Sequence, residues 1–287
     1  MKKESVTFLI PAYNEEKAIA DTLKKIKEVG QKENLDFEVI VIDDGSKDKT
    51  GEIAKENGAI VLTHPENSGY GLSIQHGIEK SSKELIALTD ADGTYPINEI
   101  SKLLRMVDKG FDMAVGARSG SEFKKGLWKY PARIAFKWLS EFVAGRKIPD
   151  INSGLRVMRK DKLLPHYKRT CFGFSFTTSI TLIFFLNGYS VGYTPIPYEK
   201  RIGKSKVKHF RDTLRTAQII VSVISYYNPI KLFLLVSLLS GIFSVILIIL
   251  GYLTNFYIIS NLGVFILGTT PLIMSLGFLA ESFRLKQ

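Results

Sequence analysis

Short apolar runs alternate with amphipathic segments over the first third of the chain. Runs that end in turn-forming or polar residues have the pattern of buried strands, and they lie at Val6–Ile10, Phe37–Ile42, Ala59–Leu62 and from Leu85. Helical segments between them are predicted from an Asn14 cap to about Val29, from Thr50, and up to about Lys80. This order predicts an α/β fold with a mostly parallel sheet, both faces covered by helices, and right-handed crossovers.

The last sixty residues have a different pattern. Two long apolar runs, Ile230–Tyr252 and Phe256 to about Ala280, are joined by a short polar link. A bilayer core needs about 20 helical residues, so the runs predict a transmembrane hairpin; the alternative, a helix in a soluble core, suits two consecutive runs poorly. Positive residues flank both outer ends and none lies in the link, which places the preceding domain and the C-terminus on the cytoplasmic face.

Two basic segments precede the hairpin. Lys124–Lys147 mixes basic and aromatic residues, as in an interfacial membrane helix; a helix packed on the sheet with a solvated basic edge remains equally open. Lys200–Arg215 has seven basic residues and one acid, with apolar residues at helical spacing beyond it, and predicts a helix on the membrane surface. The expected divisions are a domain over 1–206, a juxtamembrane amphipathic helix over 207–228 and a two-helix membrane anchor over 229–287.

Composition narrows the classes of function. The net charge of +11 fits either nucleic acid or an anionic membrane, but no nucleic-acid-binding motif is present, and the hairpin explains the charge better. No nucleic-acid partner is therefore expected. A single cysteine, Cys171, excludes a disulfide within the chain, and four histidines without ligand spacing argue against a zinc site.

The chemistry is expected where the run from Leu85 ends. Asp90 and Asp92 follow it directly, and ligands of open α/β sheets bind at the carboxyl ends of strands. A cation and a phosphate would meet there. A strand that simply ends in a solvated turn is the alternative, because Asp and Gly favour turns, and the pair alone leaves both interpretations open.

Six ordered motifs decide between them. With these motifs the chain resembles the family-2 glycosyltransferases over residues 5 to about 210, specifically the polyprenyl-phosphate sugar synthases of which dolichol-phosphate mannose synthase is the type. The motifs are Ile10–Glu15, Val41–Ser46, Asp90–Asp92, Gly116–Arg118, Asp150–Arg156 and Arg201–Lys206.

The resemblance implies a glycosyltransferase A-type (GT-A) domain and a nucleotide-diphospho-sugar donor, UDP- or GDP-linked. It implies that the nucleoside is bound by Pro11, Tyr13, Glu15 and Asp43. It implies that Mg²⁺ or Mn²⁺ and the diphosphate are bound by Asp90 and Asp92, with Ala91 between them, and that Thr94 is a third metal ligand. Of the remaining residues, it places Arg201 and Lys206 at the leaving diphosphate or the acceptor phosphate, Arg118 and Arg156 at phosphate or sugar or in structural ion pairs, and Asp150 at the acceptor or the sugar. The catalytic set is then Asp92, Arg118, Asp150 and Arg201.

The reaction implied is transfer of a hexose to a polyprenyl phosphate, dolichyl or undecaprenyl, by single displacement with inversion. A phosphate monoester, with a second pKa near ~6, is already anionic and needs no strong general base. Two rivals remain. A processive polysaccharide synthase would carry a Gln-x-x-Arg-Trp motif, and no Arg-Trp pair occurs; a non-catalytic membrane sensor of nucleotide-sugar is disfavoured by the intact Asp90 and Asp92.

Overall fold

Two compact units make up the chain. A computed structural model describes residues 4–120, 130–170, 175–199 and 209–286. The first unit extends to Ile219 and the second begins at Ile220.

The first unit is built on a seven-stranded sheet within the described residues. Its strands are β1 (Ser5–Ala12), β2 (Asp36–Asp43), β3 (Ile60–Thr63), β4 (Leu85–Leu88), β5 (Met113–Ser119), β6 (Arg156–Arg159) and β7 (Val191–Pro197). The helices of the described chain are α1 (Ile19–Lys32), α2 (Thr50–Glu56), α3 (Tyr70–Lys80), α4 (Ile100–Asp108), α5 (Tyr130–Ala144), α6 (Lys160–Leu163), α7 (Phe176–Leu186), α8 (His209–Tyr227), α9 (Pro229–Leu253) and α10 (Tyr257–Arg284), with 3₁₀ turns at Ile97–Glu99 and Tyr167–Arg169.

The strand order is β3-β2-β1-β4-β6-β5-β7, and only β6 runs antiparallel to its neighbours. In register, Leu9 of β1 lies opposite Leu88 of β4, and Ala12 lies opposite Asp43 of β2. Six carboxyl ends therefore meet at one edge of the sheet, together with the amino end of β6. The predicted mostly parallel α/β fold is confirmed.

Alternate side chains of each central strand enter two separate cores. Phe8 and Ile10 of β1 pack with α1 and α4 on one face, while Leu9 packs with α3 and α7 on the other. Ile86 and Leu88 of β4 join the second core. Because both faces are buried, the strands are continuous apolar runs rather than alternating ones.

The prediction for the segment after β1 is wrong. Asn14 does not cap a helix: α1 begins at Ile19, and Asn14 has a φ of 52°. Its side-chain oxygen accepts a hydrogen bond from the Lys47 backbone N–H at 2.7 Å, and its own N–H donates to the Ser46 hydroxyl at 2.9 Å. Asn14 thus joins the loop after β1 to the loop after β2.

Strand β1 also continues past its predicted end. Pro11 pairs with Ile42 of β2, but the ladder to β4 ends at Leu9. Proline is tolerated in a strand where pairing is one-sided. Although β1 lies in the middle of the sheet, Pro11 pairs only with β2, so its position meets this condition.

The second unit contains the predicted apolar hairpin. Helices α9 and α10 span 25 and 28 residues and are long and apolar enough to cross a membrane. Small residues let the helices approach closely: a β-carbon at Gly263 would lie 2.8 Å from the Ser244 carbonyl oxygen, and one at Gly251 would lie 2.3 Å from the Ser260 nitrogen. The Ser244 hydroxyl also donates across the hairpin to the Gly263 carbonyl. Such contacts are typical of helix association in lipid.

Each basic segment includes part of a described helix, α5 up to Ala144 in the first and α8 from His209 in the second. Helix α5 carries an exposed Ile134 and Trp138, and Trp138 stacks on Phe142 with ring centroids 5.7 Å apart, while Ser140 and Val143 are buried. One side of α5 is therefore packed and another is apolar and exposed. Residues 121–129 and 200–208 lie outside the described chain.

Candidate active site

The carboxyl edge of the sheet brings most of the predicted site residues together. Pro11 lies near the end of β1 with Tyr13 and Glu15 beyond it; Asp43 ends β2; Asp90, Ala91, Asp92 and Thr94 follow β4; Arg118 lies near the end of β5; and Asp150 precedes β6. The parallel arrangement of β1, β2 and β4 alone places the residues at the ends of these strands along one edge. The antiparallel β6 adds Asp150, because its amino end reaches the same edge.

Asp90 and Asp92 follow β4 in a turn that contains Gly93, with a φ of 74°. Asp92 is 6% exposed, and its Oδ1 accepts hydrogen bonds from the backbone N–H and hydroxyl of Thr94, at 3.1 and 2.6 Å. Asp90 is half-buried, and its Oδ1 accepts a hydrogen bond from the Tyr70 hydroxyl at 3.0 Å. Thr94 therefore braces Asp92 through the hydroxyl that was predicted to be a metal ligand.

The side chain of Asp43 lies at the end of β2. It is buried, and its Oδ1 accepts a hydrogen bond from the Ser46 N–H at 3.1 Å. A β-carbon at Gly51 would lie 2.5 Å from Asp43 Oδ2, so glycine makes room for this carboxylate. Buried Glu15 is held nearby through its backbone N–H, which donates to the Thr50 hydroxyl at 2.8 Å.

A buried polar chain supports the loop between β3 and α3. Asp44 accepts hydrogen bonds from the N–H groups of Ser68 and Gly69, at 2.8 and 2.9 Å. Its Oδ1 also lies 2.7 Å from His64 Nδ1, and His64 Nε2 lies 2.9 Å from His76 Nδ1. The two histidines that showed no ligand spacing in the sequence thus form part of the support for this loop.

Arg118 and Asp150 form a bidentate ion pair. Arg118 Nε and Nη2 donate to the two oxygens of Asp150 at 2.7 and 2.9 Å, and the Arg118 backbone N–H donates at 3.1 Å. Burial acts to raise the pKa of Asp150, but the hydrogen bonds and charge of Arg118 outweigh it and hold the pKa below its ordinary value. The guanidinium also lies over the Tyr198 ring, 5.4 Å from its centroid.

Arg156, in contrast, supports the backbone. It is 0% exposed. Its guanidinium donates to the carbonyls of Ile151, Ser153 and Thr177 and to the Thr181 hydroxyl. A group buried in this way cannot contact a phosphate or sugar, and it instead fixes the loop that holds Asp150.

Comparison with known proteins identifies the family and the fold of the domain that carries this site. A profile of glycosyl transferase family 2 matches residues 7–177. The chain belongs to this family. It is a glycosyltransferase, and its sheet matches the GT-A fold, as predicted.

Two relatives in sequence and one solved structure of similar fold extend the comparison. A dolichyl-phosphate hexose transferase of Haloferax volcanii is 29% identical over 227 residues, which cover 77% of this chain and 94% of the relative. The dolichyl-phosphate beta-glucosyltransferase ALG5C of Trichomonas vaginalis is 30% identical over 227 residues, 70% of this chain and 66% of the relative. Glucosyl-3-phosphoglycerate synthase from Mycobacterium tuberculosis, solved with Mn²⁺, UDP and glucosyl-3-phosphoglycerate, has a TM-score of 0.62 at 16% identity and covers 77% of this chain and 80% of its own.

The oxygen groups after β4 fit a hard divalent cation. Mg²⁺ and its analogues are commonly held by one or two carboxylates together with substrate phosphates, and Asp90 and Asp92 supply such a pair. Within the described residues no cluster of three or more His, Cys, Asp or Glu side chains is placed to hold a metal.

Two predicted site residues are not described, and three described residues near the site were not predicted. Arg201 and Lys206 lie outside the described residues. Tyr70, Asp44 and Gly154 are close to the site but were not singled out from the sequence. Asp44 and Gly154 carried a local indication, because they lie within the motifs Val41–Ser46 and Asp150–Arg156.

Proposed function

We propose that this glycosyltransferase transfers a hexose from a nucleotide-diphospho-sugar to a membrane polyprenyl phosphate, with inversion at the anomeric carbon and with Mg²⁺ or Mn²⁺ as cofactor. The observation that carries the proposal is the pair Asp90 and Asp92, held at the carboxyl edge of a GT-A sheet in a chain that also has two candidate membrane spans. Its curated relatives named for dolichyl-phosphate transfer support the choice of acceptor.

The donor is proposed to lie along the edge formed by β1, β2 and β4. Asp43 is suited to accept hydrogen bonds from a base edge, and Tyr13 offers a packing surface for the nucleoside, with Pro11 and Glu15 beside it. Asp90 and Asp92 face the diphosphate, where a bound divalent cation would neutralise the charge of the leaving group. Arg201 and Lys206 are proposed to contact the same phosphates.

The displacement needs no general base from the protein. An oxygen of the acceptor phosphate attacks the anomeric carbon, the bond from that carbon to the nucleoside diphosphate breaks, and the electron pair leaves with the diphosphate. Because the acceptor is already anionic, the protein's task is to hold two negatively charged groups close to the sugar. Arg118 is proposed to contact the acceptor phosphate or the sugar, with its orientation fixed by Asp150.

Membrane attachment suits a lipid acceptor. The two candidate spans tether the catalytic domain to the bilayer that contains the polyprenyl phosphate. The exposed apolar and basic side chains of α5 and the basic segment before α8 are proposed to lie at the membrane surface. Basic residues flank both outer ends of the hairpin, so the catalytic domain and the C-terminus are proposed to be cytoplasmic.

The test uses full-length protein in detergent with polyprenyl phosphate, Mg²⁺ or Mn²⁺, and UDP- and GDP-linked sugars in separate reactions. We expect a lipid-linked sugar from one donor class, and its loss in Asp92→Ala. Asp161→Ala is the matched control, because Asp161 is an exposed carboxylate in a surface pair with Lys162. Nucleotide binding without lipid product from any donor would overturn the proposal in favour of a sensor.

A further inference from the structure

The hydroxyl of Tyr70 contacts the first carboxylate of the proposed metal site. Tyr70 is the first residue of α3, and its hydroxyl donates to Asp90 Oδ1 at 3.0 Å. The Tyr70 ring is partly buried and packs against the second core of the sheet. The phenol is the hydrogen donor in this contact and the Asp90 carboxylate is the acceptor.

The backbone before Tyr70 is fixed by its own contacts. Gly69 has a φ of 104°, a conformation that side-chain-bearing residues rarely adopt. Its N–H donates to Asp44, and its carbonyl accepts from the Ser73 hydroxyl at 3.1 Å. Since Asp44 is itself hydrogen-bonded to His64, the backbone that leads into Tyr70 is held by contacts that do not involve Asp90.

The Asp90 carboxylate also lies close to a segment of backbone. A β-carbon at Gly154 would lie 2.9 Å from Asp90 Oδ1 and 3.0 Å from Oδ2, so the carboxylate lies directly against this glycine. The Gly154 N–H donates to the hydroxyl of Tyr95 at 2.7 Å, which fixes the glycine in turn. Asp90 thus contacts a phenol and lies against a glycine, and both are held by further contacts.

We propose that Tyr70 is a positioning residue for metal binding: it orients the Asp90 carboxylate before the cation arrives. The inference rests on the proposed function, since it presumes that Asp90 binds Mg²⁺ or Mn²⁺. Partners that orient a metal ligand typically contribute about 10–100-fold to metal affinity. Tyr70→Phe keeps the ring and removes only the donor, so its effect should fall in that range.

The test is Mn²⁺ binding to full-length protein, measured from the electron paramagnetic resonance signal of free Mn²⁺. We expect Tyr70→Phe to raise the dissociation constant about 10-fold or more. Tyr167→Phe is the matched control and should stay within about twofold, because it removes a similar phenol–carboxylate bond, to Glu79 at 3.0 Å, away from the site. Transferase activity of Tyr70→Phe should recover at about 10-fold higher Mn²⁺, which a general loss of structure would not allow.

The outcomes separate the inference from the function on which it rests. If wild type binds Mn²⁺ through Asp92 and Tyr70→Phe binds equally well, the positioning role is refuted while the proposed function stands. If Tyr70→Phe weakens binding as much in an Asp90→Ala background as in wild type, Tyr70 does not act through Asp90 and the inference fails. If wild type does not bind Mn²⁺, or if Asp92→Ala binds it as well as wild type does, both the inference and the proposed metal site are wrong.

Discussion

Asp150→Asn tests how the loop before β6 is held. The Asp150 and Arg118 side chains are only 4% and 17% exposed. Removing one partner of a buried pair costs about 3–5 kcal/mol, because the other charge stays buried without compensation. Arg118 retains some solvent and asparagine retains a carbonyl acceptor, so we expect a loss below that range, about 2–3 kcal/mol.

This loss should be visible as a lower melting temperature. For a domain of about 150–250 residues, 1 kcal/mol corresponds to about 2–4 °C, so Asp150→Asn should melt about 4–12 °C below wild type in detergent. Asp21→Asn is the control: Asp21 pairs with Lys25 at 2.8 Å but is 53% exposed, and such pairs contribute under about 1 kcal/mol. Equal shifts in the two variants would refute the reasoning.

Two further measurements examine the same ion pair. Arg118→Met combined with Asp150→Asn should be less destabilised than the sum of the single variants, since no unpaired charge remains. The pKa of Asp150 is held low, so the pair contributes at neutral pH and is lost only as the pH falls below about 3.9. The difference between wild type and Asp150→Asn should therefore shrink in acid.

Three other substitutions have defined outcomes. Gly154→Ala should displace the Asp90 carboxylate and weaken Mn²⁺ binding at least about 10-fold; unchanged affinity would contradict the close contact. Burial and the hydrogen bond to Asp108 raise the pKa of Glu4 to about 7. The stability linked to this proton is present below pH 4.5 and is lost as the pH rises through 7. The free energy of unfolding should therefore fall less between pH 5 and 8 in Glu4→Gln than in wild type, by about 1 kcal/mol after screening, and melting temperatures at the two pH values check this. Arg156→Met leaves several buried carbonyls without donors and should cost more than about 3 kcal/mol; a melting temperature within 2–3 °C of wild type, about 1 kcal/mol, would contradict its supporting role.

The sequence predicted the parts of the fold that composition and strand ends determine. A buried strand has to be apolar throughout, and parallel strands share their carboxyl edge, so Asp90, Asp92 and Asp43 could be placed together before the fold was known. The hairpin was predictable for a similar reason, since two apolar runs of this length have few alternatives in water.

The parts that failed depend on distant partners. A local capping preference favoured a helix from Asn14, but hydrogen bonds to Ser46 and Lys47, more than thirty residues away, determine its conformation. Strand β6 is four residues with an arginine at each end, a pattern without strand character of its own. Tyr70 joins the site only because the loop after β3 folds towards β4, and no local pattern in the sequence indicates that contact.

The decisive measurement is formation of a lipid-linked sugar by full-length protein with polyprenyl phosphate and one nucleotide-sugar at a time. We expect radiolabelled sugar to enter the lipid fraction, with its anomeric configuration inverted relative to the donor, and the product to disappear in Asp92→Ala but not in Asp161→Ala. Label that remains in the donor with every nucleotide-sugar, or lipid product that Asp92→Ala forms at the wild-type rate, would contradict the proposed function.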